Sequence, residues 1–251
     1  FFSRLAAVEM SSDDTIDAII VSNKAGLVAF KGKVYIDTTG DGDLAAWSGA
    51  SFKRGYDEEG SIQMSSLCFS FANIDSYDYI NGPTLYVWKD ESTPLYKAVR
   101  SGKYPLVDTH FCNNLVGPDV IQCNAGHMTV DTTDPWAISE AMILGRQKAV
   151  QYLEAMKDVR PSTFSNAFVV KTASLLGVRD SRRIEGDDIF TVEDWRQRKS
   201  FEDEIGRNCY YIDVHSGKHK PEHYKKGESH GIPYRCLTPK GIKNLLTAGR
   251  C

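Results

Sequence analysis

The chain opens in short apolar stretches broken by turn residues and settles into a helical period only later. Residues 5–10 and the alternating residues 16–22 read as strands, with turn-rich residues 11–14 and 23–26 after them. A third strand follows at residues 27–30. Together these predict an antiparallel meander that runs into a short buried strand at Val34, Tyr35 and Ile36. Ile62, Met64, Leu67, Phe69 and Phe71 then fall mostly at even spacing, the period of a long strand apolar on one face. Further strands are expected at residues 168–174, 211–216 and 245–248.

The period changes at Asp134-Pro135, where aspartate can cap a helix and proline suits its first turn. Ile138, Ala141, Met142, Gly145, Ala149, Tyr152, Leu153 and Met156 recur at three- and four-residue steps. One amphipathic helix is therefore expected to about Val159, ended by Pro161. Thr191 with Asp194 and Ser200 with Asp203 resemble capping boxes and predict two more short helices, the second stopped at Gly206. Between residues 73 and 114, Tyr77, Tyr79, Tyr86, Trp88, Tyr96 and Tyr104 crowd among glycine and proline. Packing of a small domain is the favoured role for them, and pocket lining the alternative. This mixture is that of an α+β protein.

Composition changes the picture little. The 251 residues are 41% hydrophobic and 25% charged, ordinary for a soluble globular protein, and allow one large or two small domains. A net charge of −3 gives no reason to expect nucleic acid or an anionic membrane surface as partner. No apolar run reaches bilayer-spanning length. Cys68, Cys112, Cys123, Cys209, Cys236 and Cys251 stand singly, without zinc spacing, and are expected as buried or idle thiols; no metal site is expected. The opening Phe1-Phe2-Ser3-Arg4-Leu5 is neither a signal peptide nor the start expected of a native N-terminus, so the compartment stays open.

Candidate chemistry gathers after Ile36. Residues 38–43 are a turn in which Gly40 and Gly42 supply backbone freedom, and Asp43 is expected to cap a helix from Leu44 that Gly49 closes. A strand, glycine turn and helix N-terminus bring backbone N–H groups to a ligand. Two aspartates in the turn would repel a phosphate, so hydroxyl or ribose contacts suit it better; an ordinary strand-to-helix turn is the alternative. Arg179, Arg182 and Arg183 form a second cluster, suited to planar anion recognition, or else a solvated strand balanced by nearby acids. If extended, Arg179 and Arg183 share one face and Arg182 takes the other. His215, at the end of an expected strand, has the titration range of a general acid or base, or is a surface imidazole. His219, His223 and His230 read as solvated, and His127 is a weaker pocket candidate.

The stretch Asp37-Thr-Thr-Gly-Asp-Gly-Asp-Leu-Ala-Ala46, closed by Gly49-Ala50, resembles the internal flavin-contacting motif of a family of FAD-dependent oxidoreductases with a glutathione-reductase-like dinucleotide fold. The family pattern recurs at Gly177-Val-Arg-Asp-Ser-Arg-Arg-Ile-Glu-Gly-Asp187, at Gly231-Ile-Pro-Tyr-Arg235, and at Pro239-Lys-Gly-Ile-Lys-Asn-Leu-Leu-Thr-Ala-Gly-Arg-Cys251. Four motifs in the family's order span the chain from Val34 to its last residue.

The resemblance implies part of an FAD/NAD(P)-binding fold with an inserted mixed-sheet substrate (cap) domain. Residues 1–50 and 231–251 would belong to the FAD-binding domain and residues 51–230 to the cap. It implies FAD as cofactor, held by Thr39, Gly40, Asp41, Gly42, Asp43, Gly249 and Arg250. Arg179, Arg182 and His215 would act on a small-molecule substrate, with flavin-mediated oxidation or reduction as the reaction. The Gly-x-Gly-x-x-Gly fingerprint for the FAD pyrophosphate is missing, and the chain stops before the family's last flavin-directed helix. A middle piece of a larger protein is therefore expected, inactive alone and partnered by the remainder of its own flavin-binding domain. Two other readings stay open: a carbohydrate-active protein of the xanthan-lyase type, which the resemblance also suggests, and a binding module without chemistry.

Overall fold

Turns at residues 13–14 and 24–25 fold the first stretch into the expected meander. Its strands are β1 (Arg4–Ser12), β2 (Thr15–Asn23) and β3 (Gly26–Lys31), antiparallel and paired in that order. These come from a computed structural model, which describes residues 2–55, 60–213 and 222–251. The chain continues through β4 (Tyr35–Asp37), α1 (Asp43–Trp47) and β5 (Phe52–Arg54). Next come β6 (Phe69–Ala72), α2 (Ser76–Asn81), α3 (Pro94–Arg100), β7 (Phe111–Gly117) and β8 (Val120–Ala125). They are followed by α4 (Pro135–Val159), α5 (Pro161–Phe164) and β9 (Phe168–Thr172). The last stretch holds β10 (Arg182–Ile184), α6 (Val192–Arg196), β11 (Glu204–Asn208), β12 (His230–Pro233) and β13 (Leu245–Thr247). The result is a mixed α/β chain with several separate sheets.

Contacts divide the chain into two compact units, the first made of Phe1–Gln63 with Asp180–Cys251 and the second of Met64–Arg179. The crossings thus fall at 63/64 and 179/180, whereas the resemblance implies functional boundaries at 50/51 and 230/231.

In the first unit β4 pairs with β13 in parallel, Leu245 opposite Tyr35, while β5 pairs with β10 and β11 with β12 antiparallel. Its core is Ile16, Tyr35, Leu44, Ala45, Ile242 and Leu245, with Val8, Met10 and Ile184 packed against it. The Asn244 side chain bonds both main-chain groups of Ile16 at 2.9 Å, tying the entry to β13 to the meander. The expected burial of residues 34–36 holds on one face only. Tyr35 is 7% exposed, but Val34 and Ile36 are 60% and 61% exposed, because strand alternation turns them to a face that no described residue covers.

Three other expectations are corrected in this unit. The helix from Ser200/Asp203 is absent. Residues 204–208 are β11, with Gly206 inside it; Ser200 Oγ accepts from the Arg207 guanidinium and Asp203 Oδ2 from the Arg235 amide, rather than either capping a helix. Of the strand expected at 211–216, only a bridge from Ile212 to Glu222 is found, and residues 214–216 lie outside those described. His230 is buried in β12, its ring stacked 4.5 Å from Phe190 and its Nδ1 bonded to the Tyr224 hydroxyl, whereas His223 is exposed as expected and His219 lies outside the described residues. The Thr191/Asp194 capping box forms as expected.

The second unit is a four-stranded antiparallel sheet, in the order β7-β8-β6-β9, with α4 packed on it through Tyr152. The Tyr152 ring lies 5.6 Å from Phe69 and 5.4 Å from Phe111. Asp134 accepts from the Trp136 amide at 2.9 Å, and α4 runs to Val159, as its caps predict. Its buried stripe contains the expected Ala141, Gly145, Ala149, Tyr152 and Met156, and also Lys148, whose ammonium donates to Leu106 O at 3.0 Å. The long strand expected at 62–71 shrinks to β6, preceded by single bridges at Ser65 and Ser66. Tyr79, Tyr86 and Tyr104 pack into the core as favoured, while Tyr77 and Trp88 stay exposed.

Gly145 gives a test of this packing. Alanine is favoured by about 1 kcal/mol over glycine in a helix. However, a Cβ here would sit 2.6 Å from the buried Leu67 Cβ, and such overpacking costs about 1–3 kcal/mol. Gly145→Ala should therefore lower stability by about 1 kcal/mol, read from the urea midpoint of the second unit's transition. A second test concerns His230, whose pKa is pushed down by burial and by Arg198 and Arg207. The unfolded imidazole takes up a proton near pH 6.5 and the folded one only at lower pH. Stability should thus fall as pH drops below about 6.5, and His230→Gln should shrink the midpoint difference between about pH 7.5 and about pH 5.5.

Candidate active site

β4 ends at Asp37, a carboxylate only 1% exposed at the head of the glycine turn. Its Oδ1 accepts from the Thr39 amide at 2.9 Å and the Thr39 hydroxyl at 2.8 Å, and its Oδ2 from the Ala45 amide at 2.9 Å. Thr39 Oγ1 in turn accepts from the Asp43 amide at 2.9 Å. The first amides of α1 are therefore served from behind by Asp37 and Thr39. This corrects the expected cap: Gly42, at φ +64°, is the N-cap, and Asp43 is the first helical residue with its carboxylate on Arg182. Gly49, at φ +92°, follows the helix end as expected.

The two turn glycines answer two demands at once. Gly40 has φ +83°, and a Cβ there would stand 2.9 Å from Arg250 Nη2; a Cβ on Gly42 would stand 2.8 Å from Ile184 Cδ1. The left-handed backbone at both positions favours glycine, and a side chain there would also displace the tips of Arg250 and Ile184. Among the described residues, the amides of Gly40, Asp41 and Gly42 donate to no acceptor. Gly249, at φ +113°, has open space where a side chain would be, and Ala248 N donates to Asp37 O at 2.9 Å beside it.

Charge in the turn is balanced. Asp41 Oδ1 accepts from Ser181 Oγ at 2.6 Å and from Arg250 Nη1 at 2.8 Å. Arg182 Nη1 donates to Asp43 Oδ1 at 2.6 Å and to Asp41 O at 3.0 Å. Two carboxylates meet two guanidiniums, so the repulsion of an anion argued from sequence is offset by partners distant along the chain.

Thr39, Gly40, Asp41, Gly42, Asp43, Arg182 and Arg250 thus meet in one cluster of the first unit, with Gly249 adjoining Arg250. Arg179 belongs to the second unit, where its Nη2 donates to Asn124 Oδ1 at 3.2 Å. The expected alternation from Arg179 to Arg183 does not apply, since the strand starts only at Arg182. His215 lies outside the described residues. His127 sits in the second unit beside Asp108, which accepts its amide at 2.7 Å, and its ring lies 4.5 Å from that of His110. Sequence reasoning missed Asp37 as the organiser and Ser181 as a partner. An aspartate ending an apolar strand just before a glycine turn would have pointed to the first.

A family model described as FAD dependent oxidoreductase matches residues 1–251. The chain belongs to the FAD-dependent oxidoreductase family. FAD is the cofactor this membership assigns. No curated protein matches the sequence. Two solved structures resemble this FAD-dependent oxidoreductase chain at 11% identity and a TM-score of 0.41, a likeness that carries no weight of its own. One is BexE, studied for oxidation during BE-7585A biosynthesis, and the other is CabE, an aromatic hydroxylase from angucycline biosynthesis. Each match covers 74% of this chain but only 30% and 31% of the respective structures, so the chain spans less than a third of their length.

Asp37 provides the test of the site's architecture. Asp37→Asn would set an amide NH₂ against donors that now find a buried carboxylate, and each such loss costs about 1–3 kcal/mol. The substitution should destabilise the first unit by about 2 kcal/mol or more and speed amide exchange at Thr39 and Ala45, measured by hydrogen–deuterium exchange.

Proposed function

We propose that the glycine turn after β4 is a flavin contact, and that the chain serves an FAD-dependent oxidoreductase acting on a small organic substrate. The observation that carries this is the turn itself: three backbone amides without acceptors among the described residues, beside two carboxylates already neutralised by arginine. Such a turn offers donors to oxygen atoms of a bound group, with the charge of Asp41 and Asp43 offset by arginine. When bound, FAD supplies hydride or electron transfer. The chain's own residues would bind and orient it. Thr39, Gly40, Asp41, Gly42 and Asp43 would meet the cofactor, Asp37 would hold the turn rigid, and Gly249 with Arg250 would close the opposite side.

In this reading the flavoprotein fold is partial, with an inserted cap domain between residues 51 and 230 that binds substrate. Arg179 would suit an anionic group on substrate, because guanidinium presents paired donors to a carboxylate, while Arg182, whose Nη1 already donates to Asp43 and to Asp41 O, would keep the cofactor turn's charge balanced. His215 would hold or move a proton near neutral pH. The remainder of the flavin-binding domain would be the partner of the β4/β13 sheet. Its support is the uncovered apolar pair Val34 and Ile36, since parallel sheets are otherwise covered on both faces. No contact among the described residues of either unit favours the lyase or the scaffold reading.

Visible absorption of the full-length protein, purified without added cofactor, tests the reading. Flavin bands that bleach on reduction are expected, and Arg182→Ala should retain less FAD than wild type by at least about tenfold in Kd. A colourless protein that also takes up no added FAD would overturn it.

A further inference from the structure

The chain re-enters the first unit at Asp180, and the next two residues both close on the glycine turn. Ser181 is 6% exposed and donates to Asp41 Oδ1 at 2.6 Å, the short range of a charge-assisted O–H···O⁻ bond. Arg182 grips the same residue at its carbonyl. The register of β10 on β5, Arg182 opposite Arg54 and Ile184 opposite Phe52, sets where these two side chains emerge.

The Asp41 carboxylate has a second partner in Arg250, but the two partners are unequal. The Arg250 side chain is 35% exposed, so its ion pair is screened by solvent and opposed by the rotamer entropy of a long side chain. A buried serine has one short rotor and little freedom to lose. Its hydroxyl therefore decides which way the carboxylate faces. Asp41 Oδ2, meanwhile, accepts no hydrogen bond among the described residues.

We infer that Ser181 is a positioning residue of the cofactor turn: its buried hydroxyl fixes the Asp41 carboxylate so that Oδ2 and the neighbouring amides face the ligand together. This rests on the flavin reading of the turn. Without the hydroxyl, Asp41 is free to rotate and engage Arg250 through both oxygens, which withdraws the free acceptor.

The test is FAD titration of the full-length protein, followed by flavin fluorescence, combined with amide exchange of residues 40–43 before any FAD is added. Ser181→Ala should raise the FAD Kd about tenfold and speed exchange in the turn. In an Asp41→Ala background the same serine change should have no further effect on Kd, because the group it positions is gone. Unchanged affinity in Ser181→Ala, or an equal loss in both backgrounds, would overturn the inference; the latter would mark Ser181 as a packing residue only. If wild type takes up no FAD while exchange in the turn still responds to Ser181→Ala, the flavin reading falls and the clamp on Asp41 stands.

Discussion

The first unit depends on one buried carboxylate. Asp37 is taken out of water at the end of β4, and that is tolerable only because three donors meet it: an amide, a hydroxyl and the amide of Ala45. Those bonds bind the strand end to the first turn of α1 and leave the intervening residues no other path than a tight left-handed turn. Gly40 and Gly42 then follow from the positive φ that the turn requires at both positions. So does the exposure of backbone donors at the turn, because the amides that would normally be capped from outside are satisfied from within.

The second unit solves a similar problem with a different polar hub. The Tyr152 hydroxyl donates to Asp108 Oδ1 at 2.9 Å and accepts from the Gly126 amide at 3.3 Å, while Asp108 also takes the amides of His110 and His127. Lys148 lies nearby on the same helix, its pKa lowered by burial and partly restored by Asp108. Gly126 makes room for this arrangement, since a Cβ there would come 3.1 Å from the lysine stem. A helix that looks simply amphipathic thus carries both the aromatic core contact and a buried charge.

Much of the fold was legible where short-range pattern decides it. The meander, α4 and the α6 capping box follow from period, turn residues and caps that lie within a few residues of one another. Reading failed where partners distant in sequence win. The stretch from Ser200 to Gly206 looks like a capped helix, but residues 204–208 pair with β12, and the β7–β8 hairpin, turning at Pro118-Asp119 with Asp119 at φ +56°, was passed over. The candidate site divides in the same way. Its glycine turn is a local motif and was readable. The ion pairs that neutralise it join residues 139 and 209 positions apart, and nothing in a local pattern announces them.

The bare side of the β4/β13 ribbon has a colloidal consequence. Val34 and Ile36 stand more than half exposed on a two-stranded parallel ribbon, a surface with adhesive side chains and, among the described residues, unpaired strand edges. A chain presenting that surface to water carries a built-in stickiness, growing with concentration and with salts that strengthen apolar contact. Covering this ribbon would therefore change the chain's tendency to associate as much as a change in the internal packing of either unit.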